Sequence, residues 1–160
     1  MVRPIVTLIT DLKKPCLPVE KNENIKGIIQ DLKDTLEKTH GLGISANQIG
    51  IQKTISYIKV PKSMDQRTKK IEYGEYILIN PKIVNKSNPV RVNNEGCISF
   101  PGIEVVTRRY AFVIVGFENE KRELQTGMFS NLESLVAQHE IDHQRGLTIF
   151  DRKWRAKWYS

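Results

Sequence analysis

The chain has 160 residues, of which 39% are hydrophobic and 27% are charged, and these proportions are ordinary for a globular domain. No apolar run has membrane-spanning length, the first residues lack a secretory signal pattern, and two cysteines in unlike contexts do not indicate a disulfide framework. The sequence therefore predicts one domain over residues 1–160 in a reducing, cytoplasmic compartment, while the formal charge of +7 makes nucleic-acid association worth weighing.

The first part of the chain predicts one long helix after a short strand. Residues 4–9 are apolar and β-branched enough for a strand, and residues 11–19 form an irregular connection that contains two prolines. Isoleucine and leucine then recur with a 3.6-residue period, which predicts a helix from Asn24 to about His40, ended by Gly41. His40 is interpreted as a favourable charge at the helix end when protonated, and not as a ligand.

Short runs of β-forming residues follow, separated by polar turns. The predicted strands span residues 54–60, 73–80, 82–85, 103–107 and 110–117, and Pro81 breaks the second from the third. Residues 61–70 are polar and predict an exposed loop or the end of a hairpin. Together with the helices, this uneven order predicts an α+β fold in which small antiparallel or mixed strands pack around a central C-terminal helix.

That last helix has a start signal, a periodic stripe and a stop signal. Ser130 followed three residues later by Glu133 is a capping box, so the helix is predicted to begin near Asn131, and Gly146 ends it. The stripe at helical spacing consists of Leu132, Leu135, Val136, His139 and His143. It predicts one buried helix face that includes both histidines.

The two histidines are four residues apart, and Glu140 directly follows the first. On a helix this spacing places the rings on one face, about 6 Å apart along the axis, where they can bind one metal ion while Glu140 reaches a water molecule on it. The alternative is a pair of core histidines satisfied by hydrogen bonds. The complete pattern, on a helix with signals at both ends, favours the metal site.

A catalytic site of this kind uses three protein ligands and leaves one position open. Downstream of His143 the only acidic candidate is Asp151, so the third ligand is sought upstream. The strongest candidate is Cys97, between a glycine and a Ser/Pro/Gly segment, whose sulfur a metal would hold as thiolate. Taken alone, however, Cys97 is better interpreted as a buried thiol acting as a small hydrophobe.

Three segments in order decide between these interpretations. Residues 41–48 are GLGISANQ, residues 95–99 are EGCIS and residues 138–143 are QHEIDH. They resemble the peptide deformylase motifs G-φ-G-x-A-A-x-Q, E-G-C-φ-S and Q-H-E-x-D-H. Ser45 replaces a usual alanine, and its small hydroxyl is expected to be tolerated with an effect on packing behind Gln48. Only 17 residues follow His143, so the chain resembles a short form that lacks the extended C-terminal helix of many bacterial members.

The resemblance implies hydrolysis of the N-formyl group from the initiator methionine of nascent polypeptides, with release of formate. The implied metal ligands are Cys97, His139 and His143. Glu140 acts as general base and then as general acid, while Gln48 and the backbone N–H of Ile98 stabilise negative charge on the substrate oxygen. Backbone at Leu42, Gly43 and Gly96 holds the peptide as an added strand. Leu132, Leu135 and Val136 line the methionine pocket.

Around this site two carboxylates have open assignments. Glu95 is interpreted as an anchor behind the ligands, paired with Arg108 or Arg109. Asp142 has the same interpretation or is a surface partner of Arg145. The resemblance implies one divalent ion per chain, Fe²⁺ in the cell, with Zn²⁺, Ni²⁺ or Co²⁺ in purified protein.

The expected partners are N-formylmethionyl peptides and, transiently, the ribosome, with no membrane and a monomeric chain. The basic, aromatic segment 151–160 suits contact with ribosomal RNA, although tryptophans packed back on the domain are the stronger interpretation of that segment. Two alternative functions stay open: a general metallopeptidase, and an RNA-binding domain with a purely structural, four-ligand metal.

Overall fold

Antiparallel strands dominate the computed structural model, which describes residues 1–155. Along the chain the strands are β1 (Gly43–Ser45), β2 (Ile55–Met64), β3 (Ile71–Lys86), β4 (Pro89–Gly96), β5 (Glu104–Tyr110), β6 (Phe112–Glu118) and β7 (Leu124–Ser130). Five of them form a sheet in the order β1-β2-β3-β6-β7, and β4 pairs with β5 in a separate ribbon. The helices are α1 (Ile9–Leu12), α2 (Lys26–Thr39) and α3 (Asn131–Gln144), with 3₁₀ turns at Ala46–Ile49 and Ile149–Arg152. The predicted α+β class with antiparallel strands is confirmed.

The middle strands of the sheet are covered on both faces. Ile55 and Tyr57 of β2 belong to a buried cluster with α2, whereas the alternate residues Ile58 and Val60 belong to a second cluster with α3. Successive side chains of a strand point to opposite faces, so α2 and α3 pack on opposite sides of the sheet. Leu32 of α2, fully buried, shows how the predicted helical period serves this packing.

The expected strand at residues 4–9 is wrong. This stretch runs without strand pairing to α1 at Ile9–Leu12. Its Val6 N–H donates to the carbonyl of Gln48, which lies in the 3₁₀ turn Ala46–Ile49. A 3₁₀ turn can accept an isolated hydrogen bond, but it does not present the repeating N–H and C=O groups of a neighbouring strand. The β-forming composition of residues 4–9 therefore does not by itself produce a strand.

Residues 61–70 contain the end of the hairpin formed by β2 and β3, which is the second of the two predicted alternatives. Residues 61–70 are not all loop, since β2 continues to Met64 and only residues 65–70 turn, where the Asp65 carboxylate accepts the N–H groups of Arg67 and Thr68. Pro81 does not break the strand, because β3 runs through it with a register shift between Ile79 and Lys82. Such a bulge tolerates a residue that has no N–H to donate.

Helix ends depart from the local signals in two places. α2 ends at Thr39 with His40 itself in the left-handed region at φ 55°, the conformation expected of Gly41. α3 begins at Asn131 as predicted, but Ser130 forms no side-chain cap, and the Glu133 carboxylate accepts from the Tyr76 hydroxyl. Tertiary partners have therefore replaced the capping box.

No helix in residues 1–155 is long and apolar enough to cross a membrane.

Candidate metal centre and its pocket

Three soft donors converge between α3 and the end of β4. The Sγ of Cys97 lies 3.3 Å from Nε2 of His143, which lies 3.2 Å from Nε2 of His139, and all three atoms are within 4.8 Å of one another. Cys97 is delivered by a turn in which its carbonyl accepts the N–H of Phe100. Ligands placed tetrahedrally at about 2.0–2.3 Å from a divalent ion are about 3.3–3.7 Å apart. This donor set therefore fits a divalent cation with one open position.

The orientation of His139 is fixed by Glu95. The Nδ1 of His139 donates to Oε1 of Glu95 at 2.7 Å, so Nε2 faces the other two donors. Arg109 in turn donates to Glu95 from Nη2 at 2.5 Å and from Nε at 2.9 Å. Burial disfavours the Glu95 carboxylate, but hydrogen bonds from His139 and Arg109 hold its pKa well below the ordinary value. The sequence left either Arg108 or Arg109 as the partner of Glu95, and in the structure that partner is Arg109.

Asp142 extends this network toward the C-terminus. It is 4% exposed, accepts from Nη1 of Arg109 at 2.5 Å, and accepts a fork from Arg152, Nη2 at 2.5 Å and Nε at 2.8 Å. The alternative that Asp142 is a surface partner of Arg145 is wrong. Arg152, assigned above to the basic tail, is instead bound to Asp142, and residues 156–160 of that tail lie outside the described part of the chain. Sequence patterns gave no signal for the Arg152 contact.

The two histidines differ in proton affinity. Burial opposes a charge on His139, yet hydrogen bonds with Cys97 and Glu95 raise its pKa to about 10. Burial and the charge on His139 hold the pKa of His143 well below its ordinary value. Binding of a cation therefore requires that Nε2 of His139 lose its proton.

Glu140 is buried beside the three donors and is not one of the converging ligands. Burial raises the pKa of Glu140 to about 7, in opposition to the charge on His139 and a hydrogen bond from Ser45. A carboxyl with such a pKa both accepts and gives a proton near neutral pH. Its Oε1 lies against Gly43, where an added Cβ would be only 2.6 Å away, so β1 must carry glycine at that position.

Gln48 is held with its amide nitrogen toward Cys97. Its Oε1 accepts the backbone N–H of Ser45 at 2.8 Å, while Nε2 donates to Ser99 at 3.1 Å and lies 3.5 Å from the Cys97 sulfur. The N–H of Ile98 takes part in none of the backbone hydrogen bonds among residues 1–155. Both donors named from the sequence thus lie at the cysteine segment. Ser99, which orients Gln48, was missed.

A cavity of about 380 Å³ opens beside the metal centre. All six residues expected to bind substrate line it: Leu42, Gly43, Gly96, Leu132, Leu135 and Val136. Leu132 is 42% exposed, so the outer end of the predicted buried stripe faces this cavity, whereas Val136 and His143 of the same stripe are buried as predicted. The core side of α3 carries Ala137 and Ile141, which pack on the sheet.

The edge strand β1 borders the cavity with unpaired backbone. The Leu42 carbonyl accepts the Lys59 N–H at 2.8 Å, and Gly43 is opposite Ile58 in the register with β2. Because paired and unpaired residues alternate in antiparallel strands, the N–H and C=O of Gly43 point away from β2. The backbone of Gly43, more than that of Leu42, is therefore placed to pair with an extended ligand.

Comparison with known proteins agrees with this geometry. A family model described as polypeptide deformylase matches residues 2–157. The peptide deformylase of Aquifex aeolicus is 35% identical, covering 98% of this chain and 92% of that protein, and peptide deformylase 2 of Clostridium perfringens is 36% identical over 88% and 85%. Among solved structures, the peptide deformylase of Ehrlichia chaffeensis has a TM-score of 0.84 at 29% identity, covering 97% of this chain and 89% of that one. The enzyme of Synechococcus elongatus in complex with actinonin has a TM-score of 0.80 at 26% identity, covering 96% and 79%.

Proposed function

The chain belongs to the polypeptide deformylase family, and from that premise we propose how its own residues remove the N-formyl group from nascent polypeptides. It is a metal-dependent hydrolase of the formyl amide. The observation that carries the assignment of roles is the convergence of Cys97, His139 and His143 beside the buried carboxyl of Glu140. We further infer that residues 1–160 form a single catalytic domain organised around α3 as its central, metal-binding helix.

Cys97, His139 and His143 are the proposed ligands of one divalent cation. When bound, such an ion lowers the pKa of water in its open position and polarises the substrate carbonyl. A thiolate with two imidazoles accepts several divalent metals, so the donor set alone does not select one. Fe²⁺ is our proposal for the cell, and Zn²⁺, Ni²⁺ or Co²⁺ for purified protein.

Glu140 is the proposed proton carrier. Its carboxylate takes a proton from water at Oε1, and the same carboxyl then delivers that proton to the departing amine nitrogen. A pKa near 7 supports both halves of this transfer. Gln48 through Nε2 and Ile98 through its backbone N–H donate to the oxygen on which negative charge develops.

The proposed substrate position follows from the shape of the cavity. The peptide is added to β1 at Gly43, and Gly96 also lines the cavity. The methionine side chain contacts the apolar group Leu132, Leu135 and Val136, and Leu42 lines the same cavity. The glycine at position 43 lets the peptide backbone approach closely.

Contact with the ribosome is proposed through a basic groove and not through the tail alone. The groove, about 870 Å³, is lined by Lys86, Arg108, Arg145, Arg152, Lys153 and Arg155 among others. Cations drawn from several elements suit a phosphate backbone. Co-sedimentation with ribosomes that is unchanged in the Arg108→Ala, Arg145→Ala double variant would contradict this. A monomer in the cytoplasm is the arrangement we propose for such transient contact.

The deciding experiment compares Glu140→Gln with its parent. Formate release from an N-formylmethionyl tripeptide is measured anaerobically, and bound metal is quantified in the same samples. The expected loss in kcat is about 10²–10⁴-fold at unchanged metal content. Glu133→Gln, on the same helix but bonded to Tyr76, is the matched control and keeps its activity. Internal cleavage of unblocked peptides, with formylated peptides untouched, would instead indicate a general metallopeptidase.

A further inference from the structure

Ser45, the residue that departs from the family motif, contacts the proposed proton carrier directly. Its side chain is fully buried, and its Oγ lies 2.9 Å from Oε2 of Glu140 and 2.9 Å from the Glu140 backbone carbonyl. A third contact joins the same Oγ to Oγ of Ser56 at 2.6 Å. The usual alanine at this position has no group that makes any of these contacts.

These contacts form part of a buried chain of hydrogen bonds. Nε2 of Gln144 donates to Oγ of Ser56 at 2.6 Å, and the exposed fractions of Gln144, Ser56 and Ser45 are 4%, 0% and 0%. The backbone carbonyl and the ionised carboxylate of Glu140 only accept, so the single Ser45 proton goes to Glu140 and the Ser45 oxygen accepts the proton of Ser56. Of the two Glu140 oxygens within reach, the carboxylate is the stronger acceptor. The chain therefore runs in one direction, from Gln144 to Glu140.

We propose that Ser45 is a positioning residue that holds Oε2 of Glu140 and so makes Oε1 the oxygen that meets the reacting groups. Of the two Glu140 carboxylate oxygens, Oε1 is the one closer to the place where a Cβ on Gly43 would lie. Gly43 lines the cavity, so Oε1 is the oxygen on that side. A carboxylate anchored at one oxygen has a single orientation, whereas a free one turns about its last bond. This inference rests on the proposed role of Glu140.

The geometry also explains why three separate elements are needed. Ser45 is on β1, Ser56 is opposite it on β2, and Glu140 and Gln144 are one turn apart on α3. The hydrogen-bond chain therefore starts and ends on the helix and passes through two strands. These hydrogen bonds fix the position of α3 relative to β1 and β2 at Glu140, the residue for which proton transfer is proposed.

The test uses Ser45→Ala, Ser56→Ala and, as control, Ser134→Ala. Ser134 is another fully buried serine and lies on α3 itself, but its hydroxyl donates to the Tyr110 carbonyl. Each protein is loaded with metal, its metal content is measured, and kcat and KM for a formylmethionyl tripeptide are determined per bound metal. Because only proton transfer is affected, Ser45→Ala is expected to lower kcat about fivefold or more with KM unchanged, Ser56→Ala to lower it about twofold, and Ser134→Ala to leave it unchanged.

A crystal structure of each variant supplies a readout that does not depend on activity. Glu140 is expected in one orientation in the parent and in Ser134→Ala, and in more than one in Ser45→Ala. If Ser45→Ala keeps the parent kcat and a single Glu140 orientation while Glu140→Gln is inactive, the positioning role is wrong and the proposed function stands. If Glu140→Gln is itself active, both are wrong.

Discussion

Replacement of Arg152 by alanine tests the network that joins the C-terminal segment to the metal centre. In the folded protein its guanidinium forms a fork with Asp142, whose side chain is 5% exposed, and Arg109 also donates to Oδ2 of that carboxylate. Arg109 continues to Glu95, and Glu95 orients His139. Arg109, Arg152, Glu95 and Asp142 thus form one network of two positive and two negative charges. Without Arg152 this network loses one of its positive charges.

The expected cost follows from burial. Removing one partner of a fully buried ion pair costs about 3–5 kcal/mol. Arg152 is 38% exposed, so solvent screens part of its charge, and Arg109 still donates to Asp142 at 2.5 Å. These two features reduce the expected loss to about 2 kcal/mol of unfolding free energy, because water replaces part of the lost contact. For a chain of this size that loss lowers Tm by about 4–8 °C.

Thermal and urea unfolding of metal-free protein measure the effect without interference from metal binding. Arg108→Ala is the control, since Arg108 is the exposed neighbour of Arg109 on β5 and lines the same groove. Its replacement is expected to change stability by no more than about 0.5 kcal/mol. Equal stability of the two variants would refute the reasoning, because it would mean that the Arg152 fork contributes nothing to the fold.

Three further substitutions address the metal centre and the pocket. Cys97→Ala removes one of three ligands and is expected to purify with less than about one-tenth of the parent metal, measured by elemental analysis; full occupancy would exclude Cys97 as a ligand. Gly43→Ala places a Cβ 2.6 Å from Oε1 of Glu140 and 2.9 Å from Cγ1 of Val136, so it is expected to cost about 1–3 kcal/mol in urea unfolding and to abolish formate release. Gly27→Ala, which meets nothing within 4 Å on α2, is the control and is expected to be neutral or stabilising. Gln48→Ala is expected to lower kcat about 10²–10³-fold with metal retained; an unchanged kcat would show that its amide does not face the reacting oxygen.

Local patterns in the sequence were sufficient for several parts of the fold. Hydrophobic periodicity, together with glycine and polar residues at turns, predicted the bounds of α3, the helical period of α2 and the positions of most strands. These features depend on neighbours within a few residues. The same is true of the spacing that places His139 and His143 on one helix face. Where a local signal met a tertiary competitor it was overridden, as when Glu133 bonded to Tyr76 instead of capping α3.

What the sequence by itself determined was the chemistry on offer: two imidazoles one helical turn apart, a carboxyl beside them, a thiol, and glycines where backbone must come close. Only the tertiary structure decided which groups meet. It turned Leu132 toward the cavity, bound Asp142 to Arg109 and Arg152, and placed the Ser45 hydroxyl on Glu140, a residue 95 positions away. The physical reason is that the partner of a buried polar group is selected by which elements pack together. A pattern of local sequence carries no information about a contact between β1 and α3.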